Sequence, residues 1–231
     1  MKIAVIGAME KEVELLRASL ENTKSQIIAN SEYTTGTYQD KEVVLLKSGI
    51  GKVNAAMSTT ILLREYKPDI VINTGSAGGF DPSLEVGAVV ISNEVRYHDV
   101  DVTGLGYEIG QMAEMPVAYH SDEKLIEIAK EAVIEVVEFQ YDIGLICSGD
   151  SFMNDSARVE TVRTYFPTMK AMEMEAAAVA QVCYQFDTPF VVIRALSDIA
   201  GKKSNITFDK FLSIAAKNST QIVLKTIEKL S

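Results

Sequence analysis

The chain has 231 residues, 47% of them apolar, which suits one domain with a substantial core and excludes a disordered chain. A formal net charge of −10 argues against a nucleic-acid partner, which needs a basic face. Cys147 and Cys183 lie outside any CxxC or Cys/His cluster, so neither a zinc site nor a disulfide framework is indicated, and reduced cytoplasmic thiols are the expectation.

The N-terminal run is too short and too quickly followed by charge for a signal peptide, and no apolar run reaches the length of a membrane span. "KIAVIGA" reads as a strand, after which Met9, Val13, Leu16 and Leu20 recur at helical spacing. "YTTGTYQDKEVVLLKSG" predicts a hairpin turning at Gln39-Asp40. "GKVNAAMSTTILLREY" predicts a helix stopped by Lys67-Pro68. "DIVINTG" is a buried strand running into "SAGG", where a tight turn or an anion nest is possible, and "GAVVISNEVRY" is another strand. Residues 99–120 lack periodicity and predict a long loop. Leu125, Ile128, Ala129, Ala132, Val133 and Val136 mark an amphipathic helix. Strand "YDIGLICSGD", helix "DSARVETVRTYF", strand "MKAMEM", helix "EAAAVAQVCYQF" and strand "FVVIRALSD" follow, and Phe208, Phe211, Leu212, Ala215, Ile222 and Val223 line a last helix. This alternation predicts an α/β single domain over 1–231, with a mixed, largely parallel central sheet flanked by helices on both faces.

Ligands of such sheets bind beyond the carboxyl ends of the strands. The strand ends here carry Glu12, Ser76, Ser148 to Phe152, Glu173, Glu175, Arg194 and Asp198. Alternation puts Glu173 with Glu175 on a shared face if the strand persists to Met174, whereas on a helix they would diverge, and it puts Arg194 with Leu196 and Asp198 on another. A buried Arg194 needs a carboxylate, and Glu173 is the candidate, in a pair whose plainer role is structural. That leaves Glu175 and Asp198 as carboxylates without assigned partners. The plainer roles remain open: Glu10, Glu12 and Glu14 as complements to a helix N-terminus, Asp198 as a cap, and Met9, Met153 and Met174 as core filling. "GIGKVN" has Asn54 where a dinucleotide fingerprint needs its third glycine, and His98 beside Asp99 and Asp101 is a weak metal signal. Composition and periodicity do not choose a reaction.

The motifs "IGAMEKEVELL", "SGIGKVNAA", "INTGSAGG", "YHDVDVTGLGYEIGQ", "SGDSF", "AMEMEAAAVAQVC" and "PFVVIRALSD" resemble those of the bacterial 5'-methylthioadenosine/S-adenosylhomocysteine nucleosidases, of the nucleoside phosphorylase superfamily. The resemblance spans essentially the whole chain. It implies hydrolysis of the N-glycosidic bond of methylthioadenosine, S-adenosylhomocysteine and 5'-deoxyadenosine, in a cytoplasmic homodimer without metal or organic cofactor. It implies that Asp198, beside Ser197, protonates adenine N7 and that Glu12 activates the attacking water. It further implies that Glu175 grips the ribose hydroxyls with Met174 against the sugar, while Ser76 and Arg194 help hold the water. Phe152 is expected to stack on adenine, Met153 to meet the base edge through its backbone, and Met9, Ile50 and Phe208 to form apolar walls; Glu173 completes the expected binding set. Leu105 replaces a frequent aromatic, and Ala113 stands where a partner subunit's proline approaches the alkylthio pocket in relatives. A phosphorolytic enzyme of the same fold is the rival reading, disfavoured because Glu12 would repel phosphate and no arginine lies near Gly75–Gly79 in sequence.

Overall fold

The first apolar run forms strand β1 (Lys2–Gly7), buried from Ile3 onward, as befits a strand covered on both faces. It is identified in a computed structural model that describes residues 1–136, 140–200 and 205–230, with 205–213 described by backbone alone. Helix α1 (Glu10–Ser19) follows, then β2 (Glu21–Ile28), β3 (Ser31–Tyr38), β4 (Lys41–Lys47), α2 (Lys52–Tyr66), β5 (Ile70–Gly79) and β6 (Val89–Tyr97). A 3-10 turn (Thr103–Leu105), β7 (Tyr119–His120), α3 (Glu123–Val136), β8 (Tyr141–Ser148), α4 (Ser156–Tyr165), β9 (Met169–Glu173), α5 (Ala176–Gln185), β10 (Phe190–Ile199) and α6 (Asn205–Lys229) complete the order.

The strands form one mixed sheet in the order β10-β6-β8-β9-β5-β1-β4-β3-β2, and a further β10–β5 pairing closes the first five into a ring. Parallel pairs join β1 to β4 and β5, β5 to β10, and β8 to β6 and β9. The pairs β2–β3, β3–β4, β5–β9, β6–β10 and β6–β7 are antiparallel, so the sheet is mixed but not largely parallel. One sheet face packs against α2 and α5, through residues such as Leu62, Ala177 and Val179. The other packs against α1, α3 and α6, through Val13, Ala129 and Ile222. The chain is thus a mixed α/β domain with helices on both faces.

Several sequence expectations are corrected in detail. Strand β2 was not expected, because all its residues but Ile28 are exposed at a sheet edge and carry no hydrophobic alternation. The hairpin at Gln39-Asp40 is present, with φ of 46° and 64°, as a tight two-residue turn requires. "SAGG" is neither turn nor nest: it is the last part of β5, paired along β10. The stretch 99–120 holds the 3-10 turn and β7 in addition to loop. Among the described residues, no helix is long and apolar enough to cross a membrane.

This topology positions the site. β1, β5 and β10 run parallel, so residues 8–12, 76–78 and 197–198 meet at one edge of the sheet. β9 runs antiparallel to β5, with Met172 opposite Gly78, and carries residues 173–175 to the same edge.

Candidate active site

Glu12 sits in the first turn of α1 and is 3% exposed. One carboxylate oxygen accepts the N–H groups of Ala8 (2.9 Å) and Met9 (3.1 Å). The other accepts the N–H (2.9 Å) and the hydroxyl (3.0 Å) of Ser76. All four lone-pair directions of the carboxylate are therefore engaged, three of them by rigid backbone. Glu10 and Glu14 do not share this role. Glu10 is exposed and pairs with Arg17 (2.6 Å) and Lys47 (2.8 Å), whose hydrogen bonds hold its carboxyl down at about 2, and Glu14 is exposed. Gly75 makes room for this corner: a Cβ there would lie 2.7 Å from the Glu12 oxygen and 2.3 Å from an Arg194 nitrogen.

Glu173 ends β9 and pairs with Arg194 in the core. Its oxygens also accept the Ser148 hydroxyl and the N–H groups of Glu175 (2.9 Å) and Ala176 (2.9 Å), capping the start of α5. Arg194 donates further to Asn73 (2.9 Å) and to the Thr74 carbonyl (3.2 Å). The pair is held by several protein groups, although the buried Arg194 Nε has no partner among the described residues, and Glu173 forms part of the floor of the site.

Glu175, the residue before α5, accepts the Gly51 N–H (2.8 Å) and lies 3.9 Å from Arg194. Burial, reinforced by the neighbouring Glu173 charge and opposed by Arg194, pushes its carboxyl up to about 8. Asp198 is also buried. Its carboxyl is raised by burial, against the lowering effect of the Ser197 hydroxyl, which donates to it at 2.9 Å. The β10–β5 register shifts between Leu196 and Asp198, so a bulge sits at Ser197. Strict alternation is broken there, and the shared face expected for Arg194, Leu196 and Asp198 does not hold. Leu196 joins the core, whereas Ser197 and Asp198 both line the cavity. Asp198 lies inside β10 and caps no helix among the described residues.

A cavity of about 400 Å³ opens between these elements. Glu12, Glu175 and Asp198 all line it, as do Glu173, Ser76 and Ser197. Met9, Ile50, Phe152, Met153 and Met174 supply its apolar walls, with Ile50 and Phe152 about half exposed. Arg194 is 1% exposed and is not among the lining residues; it stands behind Glu173. The Phe208 side chain lies outside the described residues.

A family model described as the phosphorylase superfamily matches residues 2–228. The Lysinibacillus sphaericus 5'-methylthioadenosine/S-adenosylhomocysteine nucleosidase is 77% identical, with complete coverage of both chains. The chain belongs to the 5'-methylthioadenosine/S-adenosylhomocysteine nucleosidase family. A Neisseria meningitidis nucleosidase of this family, solved with methylthio-immucillin-A, superposes with a TM-score of 0.97 at 49% identity, covering 99% of each chain. A Colwellia psychrerythraea member, solved with adenine, also gives a TM-score of 0.97 at 49% identity, covering all of this chain and 96% of its own.

For this nucleosidase-family chain, sequence reasoning missed part of the site. Met172 and Ala200 line the cavity without having been singled out, and Ala8, Ala77, Gly78 and Ser151, at strand ends, line it without having been given a role. The Gly51 N–H on Glu175 was not foreseen, since nothing local to either residue signals a partner 124 positions away. Leu105 is 75% exposed, and neither it nor Ala113 lines the single-chain cavity.

Proposed function

We propose that this protein hydrolyses the N-glycosidic bond of 5'-methylthioadenosine, S-adenosylhomocysteine and 5'-deoxyadenosine, releasing adenine and the 5-substituted ribose. The observation that carries the reading is the meeting of Glu12, Glu175 and Asp198 on one apolar-walled cavity. Adenine leaves readily only when its N7 is protonated, and burial raises the Asp198 carboxyl, which favours the protonated form that can supply this proton. The ribose becomes oxocarbenium-like as the bond breaks. Glu175 grips the sugar hydroxyls, with Met174 against the ring. Phe152 covers adenine, Met153 meets its edge, and Met9 and Ile50 complete the walls.

Glu12 takes the proton from water. Its four acceptor positions are filled, and the Ser76 hydroxyl is the one partner that turns away without moving backbone. Rotation of that hydroxyl frees an oxygen lone pair for the incoming water, and Ser76 then stays beside it. Arg194 acts from behind, by holding Glu173 and the start of α5. No step calls for a metal or an organic cofactor.

The working protein is a cytoplasmic homodimer in this reading. Exposed Ile50, Val53, Met57, Leu105 and Met112 support the dimer, and the free, buried Cys147 and Cys183 suit a reducing compartment. The test of the reaction is product analysis from methylthioadenosine and S-adenosylhomocysteine, with and without phosphate. Adenine with a free sugar in both conditions is expected; a phosphate-dependent sugar 1-phosphate would overturn hydrolysis. Light scattering that finds only monomer would overturn the dimer.

A further inference from the structure

Three side chains outside the cavity form a closed ring against the backbone that holds Glu175. Gly51 and Lys52, at the start of α2, offer consecutive N–H groups. The first donates to Glu175 (2.8 Å) and the second to the Asp150 carboxylate (2.8 Å). The Lys52 ammonium donates to both oxygens of Asp99 (2.9 and 2.7 Å). Asp99 in turn accepts the Asp150 N–H (2.9 Å), which closes the ring. Asp99 is thus bonded to both the α2 start and the segment after β8, beside the direct bond from the Lys52 N–H to Asp150.

The ring is tightly seated. A Cβ on Gly149 would fall 3.0 Å from the Asp99 carboxyl carbon and 2.4 Å from the His98 ring. A Cβ on Gly51, whose φ is 92°, would fall 3.1 Å from the Asp150 oxygen. Lys52 also lies 5.4 Å from the centre of the Tyr97 ring. None of Asp99, Lys52 and Asp150 lines the cavity. They reach the site by two routes, the Gly51 amide on Glu175 and the Asp150 backbone that leads into Ser151 and Phe152, and only the first touches the carboxylate that grips the ribose.

We infer that Asp99 is a positioning residue for Glu175: it locks Lys52 and Asp150 together, so the Gly51 N–H stays on the carboxylate and aims it at the ribose. The inference rests on the reading of Glu175 as the acceptor of the ribose hydroxyls.

The experiment measures kcat/KM for methylthioadenosine and for its 3'-deoxy analogue, in the wild type and in Asp99→Asn, Lys52→Met, the double variant and Glu175→Gln. Taking the ratio of the two substrates in each protein cancels intrinsic reactivity. The wild type prefers the 3'-hydroxyl; Asp99→Asn lowers that preference by about tenfold, Lys52→Met lowers it in the same direction, and the double variant adds little, because both act through one contact. Equal loss on both substrates, or an unchanged preference in Asp99→Asn, overturns the inference while leaving Glu175's role intact. A preference that survives Glu175→Gln overturns the reading of Glu175 itself.

Discussion

Glu12 is joined to Ser76 twice, by the Ser76 N–H at 2.9 Å and its hydroxyl at 3.0 Å, across 64 residues of sequence. With Ala8 and Met9 on its second oxygen, the carboxylate is a fixed acceptor rather than a mobile surface acid. Glu12→Gln replaces one oxygen by an NH2 group that meets N–H donors. The expected result is a kcat lowered by ~10²–10⁴-fold, as for loss of a general base, with nucleoside affinity retained. Steady-state kinetics and calorimetric binding check it. A variant impaired in binding alone contradicts the base assignment.

Asp198→Asn keeps the shape of the cavity and removes the proton. Turnover should be abolished while nucleoside still binds, and near-normal turnover would refute the acid role. A finer test uses Ser197, whose hydroxyl stabilises the Asp198 carboxylate and so lowers its pKa. The acid must be protonated, so activity holds below its pKa and is lost as pH rises through it. Ser197→Ala removes the lowering contact, and the alkaline limb of kcat/KM should move to higher pH. A limb that moves lower, or stays, removes Asp198 from that profile.

The sequence alone made the Glu173–Arg194 pair readable, because a guanidinium in an apolar strand must find a carboxylate and few were available. The strand–helix alternation was equally readable, since most elements are buried on at least one face and carry a period. What stayed hidden has physical causes. β2 is exposed on both faces and so has no pattern to detect. The orientation of Asp198 depends on a bulge that changes parity after Leu196, and a bulge leaves no mark in composition. The Gly51–Glu175 bond and the Asp99 ring use backbone amides, which every residue type but proline carries alike. The resemblance, not periodicity, assigned chemical roles to the carboxylates.

Gly75→Ala tests the packing behind the site. The added Cβ would meet an Arg194 nitrogen at 2.3 Å and a Glu12 oxygen at 2.7 Å. Neither group can retreat freely, because both are held by several hydrogen bonds. A loss of ~1–3 kcal/mol is expected from overpacking, with activity falling as Glu12 is displaced. Chemical denaturation and kinetics on the same sample check both parts; unchanged values in each would show that the corner yields.

Glu173→Gln should be the most destabilising of these changes. It removes the charge that neutralises a guanidinium that is 1% exposed and sets an NH2 group among N–H donors, and breaking such a buried pair costs ~3–5 kcal/mol. The cost should hold at neutral pH in denaturant titrations. A loss below ~1 kcal/mol would mean that Asn73, Thr74 and Glu175 suffice for Arg194.

Glu175→Gln should do the reverse at alkaline pH. The folded carboxyl titrates at about 8, raised mainly by burial, against an ordinary value of 4.5. The folded state therefore binds the proton more tightly than the unfolded chain, so ionising this group costs folding stability. The cost is absent below about pH 4.5, grows between there and about pH 8, and is full above. Glutamine stays neutral and can still accept the Gly51 N–H through its amide oxygen. The variant should match the wild type near pH 4 and exceed it above pH 8, each ~1 kcal/mol appearing as roughly 2–4 °C in Tm. Melting curves across that range decide it. A variant less stable at high pH would mean that attraction to Arg194 outweighs burial, and the site would then hold a charged Glu175 at no cost to the fold.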